Sequence, residues 1–406
     1  MKKIVAFNTL SQLVGKAVSA LATFVVTFLV ARQLGASGYG DFVKITTYVA
    51  FFYLLADFGI NAIFLQHNDQ KNWPALVVLR MSGSVALIIT SFIILALLPG
   101  SKSQGYTPMV RLGILLFSPT ILFQGLITTA NAIFQKRLRY DLATWAIIFG
   151  SITTLMLLWK PTNILMFIGA VATGALVTTI FSFTFASRLV GHIRFAPTLG
   201  QMKRLLIPSI PLGITLLFNL VYFRADSVVI TLTRPTVEVG IYGLAYKVFE
   251  VVLVFPAFFM NAVYPFMVSE TVGKSYGRLT KIFSRSFLFL LLTSLITIVV
   301  LWFAAPLLSL IKSDFAPSTG ALRVLSLGLP FFFVTSTTMW ALIALKKQLA
   351  LAIIYGTSMI VNLVGNILLV PSHGFMAAAW LTVICEGLVL VLSGLVLVQS
   401  FSHTKK

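Results

Sequence analysis

The 406-residue chain is 58% hydrophobic and 10% charged, with a mean hydropathy of +0.99; soluble globular domains run at roughly 45–50% and about 25%. So little polar surface cannot cover a water-exposed body, which excludes an ordinary soluble domain and points to a polytopic membrane protein. The formal charge is +20, and a single cysteine, Cys385, excludes an intrachain disulfide and a cysteine-based metal cluster.

Allowing about 20 apolar residues per crossing, spans fall near 10–31, 42–65, 75–98, 109–134, 142–159, 164–186, 206–231, 241–267, 282–311, 320–345, 349–370 and 376–400. Twelve transmembrane helices are predicted, because the apolar runs are long and unbroken, unlike the short alternations of a barrel. Lys2 and Lys3 ahead of the first run read as the flank of a retained span, not of a cleaved leader. The even-numbered gaps hold Lys71, Lys136, Arg137, Arg139, Arg188, Arg194, Lys203, Arg204, Lys274, Arg278, Lys281, Lys346 and Lys347, with Arg80 and Arg285 at span edges. Together with Lys405, Lys406 and the two N-terminal lysines, that side carries 19 basic residues. The other side carries 8: Arg32, Lys44, Lys102, Arg111, Lys160, Arg234, Lys312 and Arg323. The positive-inside rule therefore puts both termini in the cytoplasm. The basic excess is a topology signal, and no nucleic-acid partner is expected.

Connections are short, the longest being 187–205 at the midpoint, so no extramembrane domain is predicted. Prolines at 119, 208, 211, 256, 265, 306 and 330 fall within or at the ends of spans and predict bent helices around a cavity. Compared with itself at an offset of 203, the chain places Tyr39-Gly40 on Tyr242-Gly243 and Lys44 on Lys247. The polar positions Gln12, Lys16, Ser19 and Thr23 of span one fall on Thr215, Asn219, Tyr222 and Asp226 of span seven. Two six-span lobes follow, 1–205 and 206–406, as in transporters built from parallel repeats around a midplane site.

Ionisable residues inside spans are costly and usually face a bundle interior or a water-filled cavity. At 100° per residue, Gln12, Lys16, Ser19, Thr23 and Thr27 share one face of span one, and Thr46, Tyr53, Asp57 and Asn61 one face of span two. Span seven aligns Thr215, Asn219, Tyr222 and Asp226; span eight aligns Lys247, Glu250 and Asn261. Packed face to face, these four stripes would enclose a hydrophilic cavity. Other arrangements fit the same spacing. Lys247 and Glu250 at i and i+3 are suited to neutralise one another, Lys247 and Lys44 can snorkel to the outer interface, and Lys16 can pair with Asp57. Arg224 lies off the span-seven stripe, placed either to bridge to a neighbouring helix or to line the cavity. Glu386 with Thr382 and Ser393, and Asn362 with Asn366, read as helix–helix hydrogen-bonding sites. The histidines, at 67, 192, 373 and 403, sit in loops or the tail, so no metal site is expected. No phosphate loop, HExxH or GxSxG is present and the carboxylates within spans are isolated, so neither catalysis nor a cofactor is expected.

The stretches Asn8-Thr9-Leu10 to Ala31-Arg32-Gln33-Leu34-Gly35, Gly38-Tyr39-Gly40-Asp41-Phe42, Asp57-Phe58-Gly59-Ile60 and Gln135-Lys136-Arg137-Leu138-Arg139-Tyr140 resemble Wzx-type O-antigen flippases. These are polysaccharide exporters of the multidrug/oligosaccharidyl-lipid/polysaccharide (MOP) superfamily. The resemblance implies a V-shaped pair of six-helix lobes with spans one, two, seven and eight lining a central cavity in the bacterial inner membrane. It implies flipping of undecaprenyl-pyrophosphate-linked oligosaccharide by alternating access, with Lys16, Arg224 and Lys247 at the cationic head-group positions beside Gln12, Asn61, Asn219 and Tyr222. Proton or sodium coupling would fall to Asp57, Asp226 and Glu250, and membrane lipid and a polysaccharide polymerase are the implied partners. A cation-coupled multidrug exporter, a lipid II flippase and, more remotely, a membrane-embedded glycan polymerase are the competing functions. Lys16 deep in span one opposes the first, and the short outer gaps 99–108 and 232–240 oppose the last.

The charge asymmetry yields a direct test of orientation. With Cys385 replaced, single cysteines at Ser103 and Ser313 should react with an impermeant thiol reagent added outside intact cells, and cysteines at Ser187 and Ser275 should not.

Overall fold

Inside lipid no water reaches backbone N–H and C=O groups, so each span must close its own hydrogen bonds. A computed structural model of the protein is accordingly built of helices: α1 (Lys2–Asp57), α2 (Ile60–Gln66), α3 (Trp73–Leu97), α4 (Pro108–Phe117), α5 (Pro119–Arg137), α6 (Tyr140–Leu157), α7 (Ile164–Val190), α8 (Leu199–Thr233), α9 (Thr236–Val272), α10 (Tyr276–Ala304), α11 (Leu308–Ile311), α12 (Ser318–Leu327), α13 (Leu329–Ala344), α14 (Gln348–His373) and α15 (Phe375–His403). The structure describes residues 2–66, 72–101, 103–159, 161, 163–191, 197–272 and 276–403. Lys71, Lys102, Lys160, Arg194, Lys274, Ser275, Lys405, Lys406, His67 and His192 lie outside the described residues, as do the side chains of Lys2, Lys3, Thr215, Asn219 and His403.

Among the described residues, ten helical segments are long and apolar enough to cross a bilayer, or eleven if the bent α8 counts as one span. The chain is a multi-pass membrane protein. The first segment, Phe7–Gln66, has 60 residues, about 90 Å of helix against a hydrocarbon core about 30 Å thick. It is broken at Gly35, whose φ of 71° and ψ of −171° lie in a region essentially restricted to glycine. The predicted gap 32–41 therefore shrinks to a single residue. A second break follows at Phe58 and Gly59, with φ of 43° and 72°.

Prolines set further breaks. Pro119 starts α5 directly after Ser118, Pro306 lies in a 3₁₀ turn between α10 and α11, and Pro330 is the second residue of α13. The predicted fourth, ninth and tenth spans are thus each made of more than one helix. Pro208, Pro211, Pro256, Pro265 and Pro371 stay inside α8, α9 and α14, where each removes one N–H donor without ending the helix.

Two compact units result, one of Met1–Leu34 with Asp41–Leu220 and one of Gly35–Gly40 with Val221–Lys406. The border falls within α8, beyond the predicted boundary at 205, because α8 continues through that point as helix. The first unit buries Phe64, Trp73, Ile133, Phe134, Ala186 and Leu205 in one apolar cluster. In the second unit the chain following Gly35 packs on the start of α9 at backbone distance. A Cβ at Gly40 would fall 2.1 Å from the carbonyl oxygen of Thr236, and one at Gly240 would fall 1.9 Å from that of Ala36. Only glycine fits on either side, as at close helix crossings in membranes.

Gly240→Ala should therefore destabilise by at least about 1–3 kcal/mol through overpacking against backbone, read as a lower thermal midpoint of the detergent-solubilised protein. Gly277→Ala, where a Cβ meets nothing within 4 Å, should leave the midpoint unchanged or raise it.

Candidate functional site

In the first unit, α1 packs on α6 through Asn8, Ser11 and Gly15. The Asn8 carboxamide oxygen accepts from the Tyr140 N–H at 2.8 Å, the Thr144 hydroxyl donates to the Ser11 carbonyl at 2.6 Å, and a Cβ on Gly15 would meet the Thr144 hydroxyl at 2.9 Å. The predicted stripe is turned away from that contact by roughly 80° at the helical pitch. Lys16, Ser19 and Thr23 are accordingly exposed and Gln12 is half-buried, whereas Thr27 is buried.

The span-two stripe behaves differently. Tyr53 meets the Thr120 hydroxyl at 2.6 Å, and the Asn61 amide donates to the Thr128 carbonyl at 2.8 Å. Asp57 accepts from Arg80 at 2.7 Å, and the same guanidinium donates to the Asn61 side-chain oxygen at 2.8 Å and to the Ala56 carbonyl. Arg80 is 1% exposed. It occupies the place where the break at Phe58–Gly59 frees a helix-terminal carbonyl, so one cation answers both a carboxylate and an orphan acceptor. The stripe predicted to line a cavity is thus largely engaged with α3 and α5, although Asp57 keeps about a third of its side chain open. From the sequence Arg80 stands at a span edge as a topology charge. Its position six residues past Pro74, inside an apolar run, was the available sign that it needs a carboxylate partner. Lys44 does not snorkel outward: it is buried and donates to the Gly105 carbonyl at 2.9 Å, tying down the 99–106 turn.

In the second unit α8 turns two faces to different surroundings. Tyr222 and Asp226, predicted to line a cavity, are buried. The Tyr222 hydroxyl donates to Glu386 on α15 at 3.0 Å, and Asp226 accepts from its neighbour's N–H on Ser227 at 2.6 Å and from the Tyr242 hydroxyl. These hydroxyl and amide donors explain how two carboxyl groups can sit inside the unit. Glu386 therefore holds α15 to α8, and the Thr338 and Ser393 hydroxyls meet at 3.0 Å to join α13 to α15.

Arg224 lies on the other side of α8 and bridges to α9. It reaches one carboxylate oxygen of Glu250 at 3.0 Å, and Lys247 reaches the other at 3.0 Å. The side chains of Arg224, Lys247 and Glu250 are 28%, 35% and 36% exposed. Two cations share one carboxylate, and all three side chains are partly open. The structure thus brings together three of the predicted site residues here, Asp57 and Asn61 around Arg80, and Asp226 with Tyr242.

The protein-family model described as polysaccharide biosynthesis protein matches residues 5–272, and the MatE model matches residues 211–368. No curated protein matches the sequence. The fold is similar to that of the lipid II flippase MurJ in an inward closed conformation, with 15% identity over 98% of this chain and 90% of that one and a TM-score of 0.78. It is similar to an inward-facing multidrug resistance MATE family transporter of the MOP superfamily, with 13% identity over 97% of this chain and 98% of that one and a TM-score of 0.77. A MOP superfamily transporter from Pyrococcus furiosus with a binding pocket described as of reverse polarity matches with 15% identity over 100% of this chain and 97% of that one, at a TM-score of 0.64.

The Arg80 site makes an asymmetric prediction. Replacing Asp57 leaves a fully buried guanidinium without its carboxylate, whereas replacing Arg80 leaves a carboxylate that water can reach. Asp57→Ala should cost about 3–5 kcal/mol and Arg80→Met distinctly less, read as folded yield and thermal midpoint in detergent.

Proposed function

We propose, for a chain that belongs to the polysaccharide biosynthesis protein family, that it is a flippase moving an undecaprenyl-pyrophosphate-linked oligosaccharide from the cytoplasmic to the outer leaflet of the bacterial inner membrane. The observation that carries this reading is the accessible Arg224–Lys247 pair. Both cations reach a single carboxylate within a lipid-embedded unit, and partly open ionisable groups inside spans are characteristic of substrate and ion pathways. A pyrophosphate is the one part common to head groups that differ in their sugars. At an effective dielectric near 20, an ammonium about 4 Å from a phosphate gains on the order of 4 kcal/mol of Coulomb attraction before desolvation. Lys16, on the exposed stripe of the first unit, is proposed as an anion contact of that unit.

In this reading the chain crosses the membrane twelve times with both termini in the cytoplasm, following the charge asymmetry. Transport proceeds by exchange between two states that differ in which leaflet the site faces, each stabilised by its own contacts to the head group. Coupling to a proton or sodium ion is placed at Asp57 and Glu250, the carboxylates that stay partly open. The buried Asp226, held by Tyr242, is placed as the positioning member of that set. A polysaccharide polymerase is the proposed downstream partner.

Deleting the gene should strand undecaprenyl-linked repeat units on the cytoplasmic leaflet while their synthesis continues, read by leaflet-selective labelling of the lipid-linked glycan. Normal surface glycan with heightened sensitivity to cationic dyes would support a drug exporter instead, and arrested cell-wall synthesis a lipid II flippase. Lys16→Ala should abolish glycan export at unchanged protein abundance, and Lys16→Arg should keep part of it. Full export by Lys16→Ala would remove Lys16 from the head-group site.

A further inference from the structure

The carboxylate of Glu250 presents one oxygen to Arg224 and the other to Lys247, each at 3.0 Å. A phosphate group offers the same thing: two equivalent, negatively charged oxygens on one central atom, at hydrogen-bonding distance from two cations. The three side chains are neither sealed in the interior nor fully in water. Two other cations of the spans are enclosed. Arg80 has no exposed side-chain surface at all, and Lys44, which falls on Lys247 in the internal repeat, is buried against a carbonyl. Two cations approaching one small volume repel each other unless an anion lies between them. The position now held by Glu250 is therefore one that favours a negative charge.

We propose that Glu250 is a resident stand-in for the phosphate of the substrate: it occupies the anion position between Arg224 and Lys247 in the empty protein, and the head group binds by displacing it. The inference rests on the reading that an anionic lipid head group binds in this unit. Two consequences follow. Binding is weakened by the contact that must be broken, and release is assisted, because the carboxylate returns to the cations as the head group leaves. A site holding two cations with no internal competitor would bind a pyrophosphate and let it go slowly. The tethered carboxylate exchanges affinity for turnover.

The probe is farnesyl pyrophosphate, added to the full-length protein in detergent micelles, with farnesol as the uncharged control. Unaltered protein should bind the pyrophosphate and not farnesol. Glu250→Gln should bind it at least about tenfold more tightly, the scale of one charge-assisted contact no longer broken, while glycan export by the same variant in cells falls. Arg224→Gln and Lys247→Gln should each weaken binding by about tenfold or more. Difference infrared spectra on adding the probe should show a shifted carboxylate stretch that is absent from Glu250→Gln, a change that a mere background charge would not produce. Should Glu250→Gln fail to fold, Glu250→Asp, too short to span both cations, should give tighter binding in its place. Equal or weaker binding by the folded Glu250 variants, with the unaltered protein binding normally, would overturn the stand-in and leave the flippase reading untouched. Absence of pyrophosphate binding by any form would remove the flippase reading and the stand-in together.

Discussion

A charge placed within a lipid-embedded helix has to be answered by a partner, and much of this structure can be read as a set of answers. Arg80 is answered by Asp57, Asn61 and the carbonyl left open where α1 ends. Lys44 is answered by the carbonyl of Gly105. Asp226 and Glu386 are answered by tyrosine hydroxyls, Tyr242 and Tyr222. Each of these arrangements ties one segment of the chain to another. The contact of Arg224 and Lys247 with Glu250 is of another kind, since it sets two cations on one carboxylate with all three side chains partly open.

The breaks in the helices obey a related constraint. A carbonyl freed by proline or by a glycine in the left-handed region has to find a donor within the protein. At Ala56 that donor is Arg80. At the end of α14 the carbonyl of Pro371, left open because the helix stops at His373, accepts from Arg234 at 3.0 Å, while the same guanidinium pairs with Glu238 at 2.6 Å. At both places an arginine answers a carbonyl that a helix end leaves open.

Most of the spans were legible in the sequence, because an apolar run of bilayer length has few alternative fates. The interruptions at Pro119, Pro306 and Pro330 were visible as residues but not as joints: the same residue type stays inside the helix at Pro208 and Pro256. The functional reading was legible in part for a similar reason. Helical phase finds which residues of one helix share a face, and it grouped Lys247 with Glu250 correctly. It cannot see what the neighbouring helix offers. Tyr222 and Asp226 share a face that Glu386 and Tyr242 make an interior one, and Asp57 and Asn61 share a face that Arg80 occupies from α3. A polar stripe marks a demand for partners, and only packing decides whether those partners are protein, water or substrate.

The joint at Gly35 has a bearing on how this chain can vary. Connections between helices ordinarily absorb insertions because they have slack. Here a single residue with φ of 71° separates two helical arms, and the second arm must deliver Tyr39 against Phe315 and Gly40 against the backbone of Thr236. One added residue would turn that arm by about 100° and advance it by about 1.5 Å, sending a tyrosine ring where the chain tolerates only a hydrogen atom. This one-residue connection is thus an unforgiving one, and length variation between relatives, like any inserted epitope or fluorescent tag, belongs at longer turns elsewhere.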